Sequence, residues 1–392
     1  MNPMPSSSDL IFPMASFNQR VDKRPRSVKY EKYAEILWKY GGLLPAGKTL
    51  GDVITLATKD YSVPAYDVKE ANTKVKVFQH NGYKGLFTIS NTGFKAGGEV
   101  PFNLAWKPGT GNDNILHVVD WELGKVWEMG AVTYNEPWNL FDSPWGWLGR
   151  WAMGPNGKAG FEWGNPNHIG VGGIQHYSNL WTGTDINPKP SEKMILGRGC
   201  GLPGASLIVR AERVRAALKR GDQDIGHALP MSISTTMHDT DSSGPGFFVP
   251  PATRVEWGKG TAWANRCTGG VPLNKDSIPQ GLTIAIEPTF DVPTHLDKMG
   301  FSGAKRATAE ILLNTAKRRG IILGAETGCG ASALIQTDGL INPTTAKVWA
   351  ELGVVDTGGG YPSSDLLKNC LQHDPATGKL NYYVVEPPTI GT

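Results

Sequence analysis

The sequence predicts a mainly β fold: a β-sandwich of the jelly-roll kind, with two or three peripheral helices and an extended N-terminal arm. Three observations point there. Glycine (49) and proline (28) are abundant among 392 residues while charged residues make up only 19%, a balance that favours turns and strands over long helices. Short apolar runs with a period of two recur between turn residues. Only two or three stretches carry a helical period, and no tandem repeat of the solenoid or propeller kind is present.

Taken in order, residues 1–60 read as an N-terminal arm with a short amphipathic helix. The first thirty or so residues are rich in Pro and Ser and then basic ("QRVDKRPRSVKY"), a composition expected outside a core. "KYEKYAEILWKYGG" places Tyr33, Ile36, Leu37 and Tyr40 at helical spacing and stops at Gly41-Gly42, so its apolar face needs the main domain or another subunit as partner. Residues 61–392 read as the sandwich domain. "SVPAYDV", "KVKVFQH" and "GLFTIS" are extended segments, and "NILHVVDWELGKVWEM" (114–129) is a β-hairpin whose turn needs the positive φ open to Gly124. Residues 130–200 read as loops dense in tryptophan. "ASLIVRAERVRAALKRGD" is a helical stretch ending at Gly221, "IGHALPMSIST" and "GLTIAIEP" are strands, and "SGAKRATAEILLNTAKRRG" is the clearest helix, with Ser302 as N-cap and Gly320 at its end. "IILGAET" is the strand that follows.

Several function classes are excluded by composition. A net charge of +3 without a dense Lys/Arg run gives no nucleic-acid footprint. No apolar run reaches the roughly 18 residues a membrane span needs. "MNPMPSSSDLIFPMASF" lacks the basic start and long apolar core of a signal peptide, so a soluble chain made and assembled in the cytoplasm is expected. Cys200, Cys267, Cys329 and Cys370 are too far apart for a zinc site and read as buried thiols, with two distant disulfides as the alternative. No Walker A, GxSxG or HExxH motif occurs. The glycines of "EWGNPNHIGVGGIQH" do not open a helix after a strand, so no dinucleotide site and no other cofactor is indicated.

The candidate chemistry sits in the hairpin and the loops after it. Alternation puts Ile115, His117 and Val119 on one face and Leu116, Val118 and Asp120 on the other. Histidine's unperturbed pKa lies near neutrality, so His117 is a candidate acid or base, and Asp120, Glu128 and His227 are the groups expected to join it in acid–base catalysis; the plain reading is a buried structural histidine. Eight of 13 tryptophans fall between Trp121 and Trp181. Trp127, Trp138, Trp145, Trp147 and Trp151 are the candidates for stacking on sugar rings, whose C–H faces and hydroxyls suit an indole, against the plain reading of loop anchors. "HDTDSSG" matches the first, third, fifth and sixth places of a calcium loop, but Pro250 stands at the twelfth. It reads as an exposed turn, and Asp239 and Asp241 stay only as weak metal candidates.

The order of these motifs resembles a family of actinobacteriophage minor tail proteins and related actinobacterial surface proteins. The resemblance rests on "HVVDWELGKVWEM", "GLPGASLIVRAERVRAALKRGDQDIGHALPMSIS", "FVPPAT", "PQGLTIAIEP" and "AEILLNTAKRRGIILGAET", and covers roughly residues 61–360. It implies a jelly roll of the lectin/glucanase kind in contact with cell-surface glycan, with His117, Asp120, Trp127, Glu128 and His227 at the motif positions. Two departures stand out. Glu326 replaces an aspartate, and Arg254-Val255-Glu256-Trp257 replaces a histidine-containing motif. The missing histidine weighs against catalysis more than against binding.

The function expected on this basis is a virion component, a minor tail protein of tip or fibre that binds host-wall glycan. Its partners would be other tail proteins or copies of itself, and its basic arm would serve for docking. The alternative is a polysaccharide hydrolase or lyase on the same scaffold, using His117 or His227 with Asp120 or Glu128.

Overall fold

The computed structural model describes residues 6, 8–11, 13, 15–39, 47–79, 94–111, 113–135, 161–162, 164–177, 180–181, 200–233, 248–252, 278–326, 333–356, 365–374 and 377–389. Among them the chain forms three sheets and seven α-helices, and β content slightly exceeds helix content.

The largest sheet has six strands. They are β1 (Ile54–Ala57), β10 (Leu229–Ile233), β11 (Thr283–Ile286), β12 (Ile321–Glu326), β13 (Ala333–Gln336) and β14 (Tyr382–Val384), in the order β1-β13-β10-β12-β11-β14. Alternation gives it two apolar faces. Leu229, Met231, Ile233, Ile284, Ile286, Ile321 and Leu323 join one core with the helices. That side carries α1 (Lys32–Lys39), α2 (Leu50–Val53), α4 (Ala211–Arg220), α5 (Val292–Lys298), α6 (Gly303–Arg318) and α7 (Pro343–Glu351). Ile322 points the other way, into a second cluster.

Two four-stranded sheets complete the β structure. One runs β2 (Ala65–Asp67), β5 (Leu116–Asp120), β6 (Lys125–Gly130), β9 (Gly173–Tyr177); the other runs β4 (Gly98–Phe102), β3 (Thr73–Gln79), β8 (His168–Val171), β7 (Thr133–Tyr134). They pack face to face: Leu116, Val118, Met129 and Ile174 of the first share a core with Val75, Val77, Val100, Phe102, Ile169 and Val171 of the second. The four-residue helix α3 (Gly204–Leu207) lies between the first small sheet and the six-stranded one, where Leu202 and Ala205 share a cluster with Val119, Val126 and Ile322.

This is not the single jelly roll expected from the sequence. β1 runs parallel to β13, β10 to β12, β2 to β5 and β3 to β8, whereas a jelly roll is antiparallel throughout. The helices are also more than peripheral, because α4, α6 and α7 supply Val214, Leu312 and Trp349 to the largest core.

Several elements differ from expectation for identifiable reasons. The stretch 205–222 is two helices, not one. Val209 leaves the helix between them to bridge Thr337, donating its N–H to Gln336 O at 3.0 Å. Ser302 stands at the α6 N-cap in extended geometry but makes no side-chain cap bond. Within the segment read as loop, residues 168–177 form β8 and β9. The N-terminal stretch does not stand off its own core: Ile11, Ala15, Phe17 and Val21 are buried in it. The face of α1 packs on the main body, where Tyr382 Oη donates to Ala34 O at 2.9 Å.

Candidate functional site

The hairpin of β5 and β6 forms because both strands alternate and the turn between them can close. Leu123 N–H donates to Asp120 Oδ1 at 2.9 Å, and Gly124 holds φ at +67°. A Cβ at Gly124 would lie 2.6 Å from the Trp181 ring, so glycine also admits that indole. The register sets His117 opposite Glu128 and Val119 opposite Val126 on one face. Leu116, Val118, Met129 and Trp127 turn the other way, into the small-sheet core.

On the first face, Glu128 is locked. Its Oε2 accepts the Gly204 amide at 3.1 Å and its Oε1 accepts the Ala205 amide at 2.6 Å. The first amides of a helix have no intrahelical acceptor, so a carboxylate placed there satisfies them while they stabilise its charge. Contact is close. A Cβ built on Gly204 would stand 3.0 Å from Glu128 Oε2 and 3.3 Å from His117 Cε1. His117 is 3% and Glu128 6% exposed, so the pair is covered by the 200–207 segment.

His227 lies behind that segment, 1% exposed, in the turn before β10. Its neighbour Ala228 belongs to the same apolar cluster as Val119, Val126 and Ala205. Nδ1 donates to Ala228 O at 2.8 Å, which leaves Nε2 as the unprotonated nitrogen. Burial lowers the ring's pKa to about 3; the Ala228 carbonyl pulls it up, and the positive charges of Arg210 and Arg213 press it down. His227 is therefore neutral at any physiological pH and is no proton donor.

Sequence reasoning missed Arg210, Asp338 and Asp224. Arg210 is buried, stacks its guanidinium 5.1 Å from the Trp121 ring centre and donates to Asp9 O. Burial lowers its pKa to about 10, with Arg213 adding to the fall and Asp338 opposing it. Asp338 accepts Trp349 Nε1–H at 2.7 Å and the Ala211 amide at 3.1 Å, capping α4. Burial raises its pKa to about 7 against those bonds and Arg210. Asp224 accepts Arg318 Nε at 2.7 Å and Arg319 Nε at 2.9 Å. The sequence signal for these groups was slight: isolated charged residues near apolar segments, with most of their partners far along the chain, such as Asp9 for Arg210 and Arg318 for Asp224.

The structure thus brings His117 and Glu128 together and places Asp120 on the opposite face, at the turn. Of the tryptophan candidates, Trp127 is described. It is partly exposed, directly across from His176 on β9, with ring centres 5.2 Å apart and planes at 34°. Trp138, Trp145, Trp147, Trp151, Asp239 and Asp241 lie outside the described residues, as does the side chain of Glu326. Among the described residues no group of three or more His, Cys, Asp or Glu side chains is placed to hold a metal, and no helix is long and apolar enough to cross a membrane. No known protein family, curated protein or solved structure matches this chain.

Proposed function

We propose that the chain is a phage tail component that binds host-wall glycan without cleaving it. The observation that carries the reading is the Trp127–His176 pair. Two partly exposed rings stand side by side on adjacent strands of a small sheet, on the face that packs against the second small sheet, where Trp127 lies against the shared core. Sugars present apolar C–H faces beside hydroxyls, and an indole next to an imidazole offers a matching surface with donors and acceptors at its edge. The face-to-face packing of the small sheets is the part of the fold that answers to a lectin-like sandwich. Other tail proteins and further copies of the chain are the partners this reading requires.

Cleavage is disfavoured by the state of its candidate residues. Both Glu128 oxygens are held by backbone amides, His117 is enclosed with it, and His227 stays neutral. A general acid must reach its substrate. The test is sedimentation of the purified protein with mycolate-type cell walls, with an assay for released sugar. The expected result is co-sedimentation without release, lost in Trp127→Ala while the circular dichroism spectrum is kept. Sugar release abolished by Glu128→Gln would replace this reading with the hydrolase or lyase; absence of wall binding would remove glycan recognition altogether.

A further inference from the structure

Helix α1 carries a second pairing of indole and imidazole, away from the small sheets. The helix is seated on the largest core by Tyr33, Ala34 and Leu37, all buried, and by the bond from Tyr382 Oη to Ala34 O. Glu35 and Trp38 stand three positions apart, so they are neighbours on the helix surface. Trp38 rests against the rim of that core and stays half-buried. His373 meets it there, with ring centres 4.5 Å apart and planes at 72°. The imidazole Nε2 lies 3.8 Å from Glu35 Oε1, and the His373 and Glu35 side chains are 34% and 57% exposed. Trp127 packs on the small-sheet core instead, so the two Trp–His pairs belong to different parts of the fold.

The segment that brings His373 to the helix is held by its own backbone. His373 bridges Leu380 in antiparallel register, Asp374 N–H donates to Lys379 O at 2.7 Å, and Asn381 N–H donates to Gln372 O at 2.9 Å. Asn381 Nδ2 ties the same segment to Cys370 O at 2.9 Å. A helix and a backbone-bonded segment thus fix the three side chains from two directions, and groups already in place need little ordering when a ligand arrives.

Rings that cross at 72° make a corner rather than a stack. A separation of 3.8 Å is too long for a hydrogen bond, so the Glu35 carboxylate keeps its acceptor positions. Neither that carboxylate nor the Trp38 Nε1–H makes a hydrogen bond to the described residues. An apolar wall flanked by an open carboxylate, an indole N–H and an imidazole nitrogen complements a sugar ring, whose C–H face suits the wall and whose hydroxyls suit the edge. We infer that Trp38, His373 and Glu35 form a second glycan-binding site, in which Glu35 accepts a sugar hydroxyl. This site takes the ligand class proposed for Trp127 and His176 but shares no residue with that pair. Two such sites would let one chain hold a wall polymer at two points.

Nuclear magnetic resonance of the full-length protein, titrated with soluble polysaccharide fragments released from mycolate-type cell walls, tests it. The Trp38 Nε1–H and His373 Cε1–H signals should move and saturate in the wild-type chain, and equally in Trp127→Ala. Glu35→Ala changes an exposed helix position to a good helix former, so the unbound spectrum should be kept. It should weaken binding at Trp38 by about fivefold or more, as expected for loss of one charged acceptor. Movement at Trp38 and His373 alone would uphold this site and overturn the one at Trp127. Movement confined to Trp127 and His176 would overturn this site and leave the other standing. Movement at Trp38 that vanishes in Trp127→Ala would overturn it as well, because the signal would then be secondary to the first site. Unchanged affinity in Glu35→Ala would overturn the part assigned to the carboxylate, and movement at neither pair would remove both sites.

Discussion

Glu128 reaches 76 residues along the chain to hold the amide of Gly204 at 3.1 Å, with Ala205 on its other oxygen. The bond fixes the hairpin to the segment that covers it, and it defines the first prediction. Glu128→Ala removes both acceptors and leaves two buried donors, each costing about 1–3 kcal/mol. Glu128→Gln keeps one acceptor and turns an NH2 toward the other amide, so it should fall between wild type and the alanine variant. Urea denaturation reads the order directly. An alanine variant as stable as wild type would refute the clamp.

Gly204 permits that contact, and the second prediction follows from its lack of a side chain. In Gly204→Ala the added methyl meets a carboxylate held by the Gly204 amide itself and a ring packed beside it, so neither neighbour yields freely. Overpacking of this kind costs about 1–3 kcal/mol. The check is a pair of melting curves. If Gly204→Ala melts with wild type, the close approach is relaxed in solution.

Asp224 gives the third. Burial raises its carboxyl pKa, but hydrogen bonds from Arg318 and Arg319 and their charges outweigh that and hold it below the ordinary carboxylate value. A lowered folded pKa means stability that is complete above the unfolded pKa and lost as pH falls through the folded one. Removing one member of a buried pair costs about 3–5 kcal/mol, and the partial exposure of both arginines puts Asp224→Ala near the lower end. The acid limb of a stability–pH curve should flatten in Asp224→Asn; an unchanged limb would assign acid sensitivity elsewhere.

The hairpin was legible in the sequence to within a residue or two at each strand end. Its alternation and Gly124 gave the strands, the turn and the opposition of faces, because all three are local. Helix α6 was legible for the same reason: one apolar stripe, basic residues in its last turn, and Gly320. What failed was long-range. Parallel pairing of β10 with β12 joins strands separated by α5 and α6, and nothing in "ALPMSIS" names its neighbour. Val209 left a helical pattern because a bridge to Thr337 outbid local propensity. The N-terminal stretch was misjudged because its Pro, Ser and Arg content masked three anchors, Ile11, Phe17 and Val21. Its arginine contacts are supplied by residues some 200 to 300 positions away. At the candidate site, His117 and Glu128 were found, and a buried His117 was the plain reading; the segment that covers the pair was not foreseen, since that contact depends on Gly204.

His227 supplies a fourth prediction, with the sign set by burial. Its folded pKa of about 3 lies below the ordinary histidine value of 6.5, so the unfolded chain binds a proton that the folded chain refuses. Stability from this residue is complete above the unfolded value and falls as pH drops toward the folded one, by up to about 1.4 kcal/mol per pH unit. Nitrogen-15 spectra of the imidazole should show Nδ1 protonated and Nε2 bare down to about pH 4. A doubly protonated ring at pH 5 in the folded protein would sink the assignment.

The fifth prediction sets Asp338 against His227. Desolvation lifts the Asp338 carboxyl to about 7, although Trp349, the Ala211 amide and Arg210 all favour its charged form. A raised folded pKa on an acid means that the folded state holds a proton the unfolded chain has lost. The sign is therefore opposite: stability is complete below the unfolded value and declines as pH rises from it toward the folded one. His227 and Asp338 together make the chain most stable where the first has shed its proton and the second has not yet lost its own, between mild acid and neutrality. The indole N–H of Trp349 bonds directly to Asp338 Oδ1 at 2.7 Å, so its resonance reports the titration at one site. That signal should move with a midpoint near pH 7 and stay fixed in Asp338→Asn, whose side chain keeps an oxygen acceptor but does not titrate. An indole resonance unmoved between pH 5 and 9 in the wild-type chain would show that Arg210 and the two N–H donors outweigh burial, leaving Asp338 ionised throughout.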